Sequence, residues 1–148
     1  MKTSYSLTII LFALLLSFSM NVQGQDSDAP EGHIFVVVTW ETIRPEGGTM
    51  AEMDSLMTLY QNEVIKKNEL IISEKNLRHL YGSNSGDWIV ITEYANWNDV
   101  DASTARGEEL FKAKWSTPEE RIAFNTAFGK YFGNHSDEIY MEFPQYNK

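Results

Sequence analysis

Cysteine is absent from the chain. That excludes disulfides and thiol nucleophiles, so stability in any compartment has to come from packing. It also removes the cysteine to which a bacterial lipoprotein would attach its lipid. Basic residues are scarce, with 12 Lys and Arg against 21 Asp and Glu and a formal net charge of -9. A chain this acidic repels nucleic acid and anionic membranes, and neither is expected as a partner. No apolar run reaches the roughly 18–20 residues of a membrane span. There is no glycine-rich phosphate loop and no G-x-S-x-G, and no serine is flanked by an obvious base. His33, His79 and His135 are too scattered for a metal-binding spacing, so no metal site is expected.

What is present begins with an export signal. Lys2 gives a positive start, Leu7 to Phe18 form an apolar run that Ser17, Ser19 and Asn21 break up at its end, and Val22-Gln23-Gly24 fits a cleavage site. Segment 1–24 is therefore expected to be removed, which takes away one Lys and no acid. The product would be a soluble, exported protein, periplasmic or extracellular. Residues 25–32 are polar, contain Pro30 and Gly32, and are expected to be a disordered leader. Residues 33–148 have the length of one domain. The chain has 4 Trp, 7 Tyr and 8 Phe, all but Tyr5, Phe12 and Phe18 in that domain, which gives it enough large apolar surface to fold without disulfides.

Within it, Ile34 to Thr42 is β-branched and aromatic with little alternation, as in a strand covered on both faces. Pro45-Glu46-Gly47-Gly48 breaks it, and Thr49 with Glu52 predicts a capping box. Met53, Leu56, Met57, Tyr60 and Val64 then form one apolar helical stripe, closed by Lys66, Lys67 and Asn68. Leu70 to Tyr81 alternates loosely and Trp88 to Tyr94 strongly, so the glycine-bearing segment 82–86 between them predicts a hairpin. A helix through residues 70–80 is the alternative. Asn96 to Asp101 starts a second helix that Gly107 interrupts. Thr117-Pro118-Glu119-Glu120 starts another, with a cap and a proline at the first helical position. Phe124, Ala127, Phe128 and Tyr131 continue its stripe, Gly133-Asn134 is expected to end it, and Ile139 to Phe143 is the last strand before Pro144.

The order strand, helix, strand, strand, helical pair, strand predicts an α+β, ferredoxin-like βαββαβ fold, a four-stranded antiparallel sheet with helices on one face. In the first strand Phe35 and Val37 lie on one face, and Ile34, Val36, Val38 and Trp40 on the other. Helices can cover one set. A second copy of the sheet is the simplest cover for the other, which makes the expected partner a second copy of the chain.

From His33 to about Phe143 the chain resembles the dimeric α/β-barrel superfamily, with its antibiotic-biosynthesis-monooxygenase-like, stress-responsive barrel and NIPSNAP-like domains. The resemblance lies in the apolar opening strand with Trp40, the Met-rich first helix, and the run from Trp88 to Trp97 in which a strand ends in an acid and aromatics. It implies a homodimer. Its members include cofactor-independent oxygenases, haem degraders and many proteins without known activity, so it argues fold better than reaction. Haem degraders need an axial histidine and polar partners, and nothing here aligns with that pattern. No cofactor is expected.

Three groups of residues are candidates for chemistry. His79, beside Arg78 in the expected second strand, can point between sheet and helices. Glu41, Glu93 and Glu142 end apolar strands, where an acid drawn toward a pocket can act as a base. Trp40, Trp88, Tyr94, Trp97 and Tyr140 can line a pocket for an apolar or aromatic molecule, with Arg78 at its edge. The expected function is an exported small-molecule binding domain of unproven activity. A cofactor-independent monooxygenase-type enzyme and a non-catalytic dimerisation module are the alternatives. Mass spectrometry of protein released by its native host is expected to find a chain starting near Gln25, and retention of segment 1–24 in the membrane fraction would overturn the signal.

Overall fold

A computed structural model describes residues 32–83 and 86–148. The expected export signal and the leader as far as Glu31 lie outside the described residues. Gly32, assigned to that leader, is instead buried against the end of the domain. A Cβ there would lie 2.1 Å from the Glu142 carbonyl oxygen, so only glycine allows this approach.

The elements in chain order are β1 (Ile34–Thr42), α1 (Met50–Glu63), β2 (Ser73–Arg78), β3 (Asp87–Tyr94), α2 (Trp97–Lys114), α3 (Pro118–Gly129) and β4 (Phe132–Met141). Short 3-10 turns follow at Ile65–Lys67 and Pro144–Tyr146. The strands form a four-stranded sheet in the order β2-β3-β1-β4 with antiparallel neighbours throughout. This is the ferredoxin-like α+β fold that the element order predicts.

Cross-strand register fixes the two faces of the sheet. Val38 pairs with Val90 and Asp137, and Trp40 with Trp88 and His135, and this face meets the helices. Phe35 pairs with Glu93 and Tyr140, Val37 with Ile91 and Glu138, and Leu77 with Ile89, all on the face turned away. The helices therefore cover the larger set of β1 side chains and leave Phe35 and Val37 on the open face.

The expected hairpin is present and the alternative helix through residues 70–80 is not, because Ser73–Arg78 pairs along β3. Two local expectations change. Gly107 does not interrupt α2, which runs through it. A Cβ there would meet Val64 Cγ1 at 3.8 Å, an ordinary contact, so α2 packs beside the end of α1 at this point. The last strand starts at Phe132 rather than Ile139, so Gly133-Asn134 lies inside β4 instead of ending a helix. Its polar first half is tolerated because β4 is an edge strand, paired to β1 alone and exposed beyond Gly133.

The helix caps separate two similar sequence signals. Thr49 Oγ1 accepts from the Glu52 amide at 3.1 Å, but the Glu52 carboxylate receives the Tyr131 hydroxyl instead of closing a capping box. Tyr131 also accepts from the Thr49 amide at 3.2 Å, and so ties the start of α1 to the end of α3. At Thr117 the box is complete: Thr117 Oγ1 accepts from the Glu120 amide at 3.2 Å, and Glu120 Oε2 accepts from the Thr117 amide at 3.0 Å. Thr117→Ala is expected to lower stability by about 0.5–2 kcal/mol, read as a lower urea midpoint. An unchanged midpoint would show that the box contributes nothing.

Candidate functional site

The core between sheet and helices is divided. Met53, Tyr131 and Phe132 anchor one cluster with Trp40 and Trp88 beside them, and Val64, Trp115 and Phe124 anchor a second with Tyr60 and Phe111. Both clusters contribute walls to a cavity of about 610 Å³. Trp40 and Trp88 close it on the sheet side toward one cluster, Tyr60, Phe111 and Phe124 wall it from the helices, and Val38, Val90, Thr92 and Tyr94 form its floor. Gly107 and Ser103 face it from α2, where larger side chains would occupy the space.

The floor carries one polar network. Glu74 Oε1 accepts from Gln61 Nε2 at 2.5 Å and from Asn76 Nδ2 at 2.9 Å, while Glu74 Oε2 accepts from Thr92 Oγ1 at 3.3 Å. Asn76 Oδ1 in turn accepts from Trp88 Nε1 at 3.0 Å, which fixes the indole against the cavity. Strand alternation explains the arrangement: Glu74 and Asn76 are two apart on β2, and Thr92 and Val90 stand directly across from them. Burial pushes the Tyr60 phenol above its ordinary pKa, with the Glu74 carboxylate adding to the rise. Burial raises Tyr94 as well; a hydrogen bond with Ser103 opposes the rise and Glu74 reinforces it. At the back of the cavity, Asn68 Nδ2 donates to Ser103 O and Oγ, both at 2.9 Å, joining the end of α1 to α2.

Of the residues singled out from sequence, Trp40, Trp88 and Tyr94 line this cavity. Arg78 pairs in register with Trp88 but is exposed and forms no part of the wall. His79 falls just beyond β2, where its amide donates to Asp87 O at 3.1 Å and its Nε2 to Tyr81 O at 2.5 Å, so it does not enter the space under the helices. Trp97 is exposed at the start of α2. Tyr140 lies on the open face and donates its hydroxyl to Glu138, which raises its pKa. Glu41 is exposed at the end of β1, opposite Asp87. Glu142 Oε2 accepts the His33 amide at 3.3 Å.

Glu93 also lies on the open face, where Oε1 meets His33 Nδ1 at 2.6 Å and Oε2 accepts from Ser73 Oγ at 2.5 Å. The serine hydrogen bond first, and the histidine second, hold this carboxyl below its ordinary pKa. The strand-end acids are thus turned away from the cavity, and among the acids that line it the one in the polar network is Glu74, the second residue of β2. Its signal in the sequence was the period-two pair Glu74 and Asn76, in a strand otherwise read only for its apolar residues. Among the described residues no three His, Asp or Glu side chains converge as metal ligands, and no helix is long and apolar enough to cross a membrane.

No protein-family profile matches the chain, and no curated protein matches it. Solved structures do. A proposed antibiotic biosynthesis monooxygenase from Caulobacter crescentus is 17% identical with a TM-score of 0.50, over 76% of this chain and 91% of that one. A conserved protein from Methanosarcina mazei is 15% identical, also with a TM-score of 0.50, over 76% and 94%. A cofactor-independent oxygenase from Streptomyces nogalater, SnoaB, is 12% identical with a TM-score of 0.48, over 75% and 93%. The ferredoxin-like fold that the strand order defines is thus shared with the first two of these proteins.

Because folding lowers the pKa of Glu93, its contribution to stability is present above the unfolded value of about 4.3 and is lost as pH falls through the folded one. Urea midpoints of wild type and Glu93→Gln are expected to differ most near neutral pH and to converge as pH falls through the lowered folded pKa. A difference that stays constant across that range would overturn the assignment.

Proposed function

We propose that the domain is an exported small-molecule binding protein, taking an apolar or aromatic molecule into the cavity between sheet and helices and working as a homodimer. The observation that carries the binding reading is the cavity itself. Its volume of about 610 Å³ lies inside the roughly 300–1,000 Å³ range of small-molecule sites, and its walls combine aromatic rings with a few convergent polar groups. Cores otherwise fill such space, because each unfilled methylene forfeits contacts.

The homodimer reading rests on the open face. Phe35, Val37, Ile89 and Ile91 form an apolar centre there, with Leu77 and Tyr140 about half exposed at 46% and 50% on either side. Each large side chain left in water forgoes on the order of 1.5–3 kcal/mol. A second copy of the same sheet covers the face without needing any other partner. Charged neighbours such as Lys75 and Glu138 lie at the edges of this patch, as the rim of an interface requires.

One experiment reads both parts. In sedimentation velocity at micromolar concentration with the neutral probe N-phenyl-1-naphthylamine, the probe is expected to travel with protein of twice the chain mass. Val90→Trp, which fills the cavity floor, is expected to keep that mass and lose the probe. A boundary at single-chain mass overturns the dimer, and a probe that stays behind wild-type protein overturns the binding site.

A further inference from the structure

The cavity has one charge sign. Among the described residues that line it are Glu74, Glu108 and Asp137, and no Lys, Arg or His. Two of these acids have nitrogen partners at the surface: Glu108 pairs with Lys112 Nζ at 2.6 Å, and Asp137 lies 3.3 Å from His135 Nε2. Glu74 differs. The groups that hydrogen-bond it, Gln61, Asn76 and Thr92, are all neutral, so they satisfy lone pairs without cancelling its charge. The raised pKa of both Tyr60 and Tyr94 has this carboxylate among its causes, so its field reaches across the cavity to both phenols.

From this geometry we infer that the cavity selects aromatic amines in their ammonium form, with the cation at Glu74 and the aromatic body between Trp88, Tyr60 and Phe111. This rests on the reading of the cavity as a small-molecule site. A carboxylate can only accept, so a ligand must bring a donor to it, and an ammonium brings up to three together with the opposite charge. The rings beside Glu74 add favourable faces for a cation. An anionic ligand of the same shape meets a like charge with no basic residue in the wall to offset it. Selection therefore comes from repulsion of anions as much as from attraction of cations.

The test is competition against N-phenyl-1-naphthylamine at neutral pH by three molecules of one size: 2-naphthylmethylamine, 2-naphthylmethanol and 2-naphthoate. The amine is expected to displace the probe at about one tenth of the alcohol concentration, because both can donate to the carboxylate but only the amine brings the opposite charge, and naphthoate to be weakest. Glu74→Gln is expected to erase the advantage of the amine over the alcohol. Naphthoate equal to the amine in wild type overturns the inference without any variant, and so does an amine advantage that survives Glu74→Gln. In either case displacement by the alcohol keeps the cavity as a binding site. If neither the probe nor any of the three binds, the cavity reading and this inference fall together.

Discussion

β1 is hydrogen-bonded on both edges, to β3 and to β4, and apolar on both faces. A sheet with helices on one side can satisfy only one of those faces. The side that the helices take is set by register. Ile34, Val36, Val38 and Trp40 line up with Tyr94, Thr92, Val90 and Trp88, and the stripes of α1 and α3 dock there. Everything distinctive in the domain follows from how each face is then treated: the inner one is filled by two clusters of rings with a gap between them, and the outer one stays open.

The gap results from size as well as shape. Large rings sit at its two ends, with Trp40 edge-on to Phe132 at 5.6 Å and Phe124 against Trp115 at 4.2 Å. Between them stand Val38, Val90, Thr92, Ser103 and Gly107, which are small or short. An inner face built for stability alone would place larger residues at these central positions, since close packing is where a core gains its last increments of free energy. The Asn68 to Ser103 hydrogen bonds hold α2 at its distance from α1, so the helices do not collapse into the space.

Much of this fold was legible in the sequence, and the exceptions have physical reasons. β1 announces itself because its residues are β-branched or aromatic almost throughout. α3 does so because Thr117, Pro118 and Glu120 leave one plausible helix start. The first half of β4 was hidden because Gly133, Asn134, His135 and Ser136 have no strand preference of their own and are held by pairing to β1, a long-range contact that composition does not encode. The site divides the same way. Trp40, Trp88 and Tyr94 were legible as wall because their strands were. The acids were not, because a position near a strand end says nothing about which face a side chain takes. Glu93 is one residue away from both Thr92 and Tyr94, and that single step puts it on the opposite face.

Glu74 bears most directly on what the cavity is for. A half-buried carboxylate beside aromatic rings loses part of its hydration, and neutral donors meet its lone pairs without recovering that loss fully. Gln61, from α1, Asn76, from β2, and Thr92, from β3, converge on it from three elements, and Asn76 also holds the Trp88 indole. A network that gathers side chains from three elements costs conformational freedom in each. A Leu or Met at position 74 would fill part of the cavity and remove that cost, so stability does not explain the acid. The proposed binding accounts for it: a fixed acceptor on the cavity floor, its orientation set by three neutral donors, is the kind of group that gives a ligand in an apolar hole a preferred orientation.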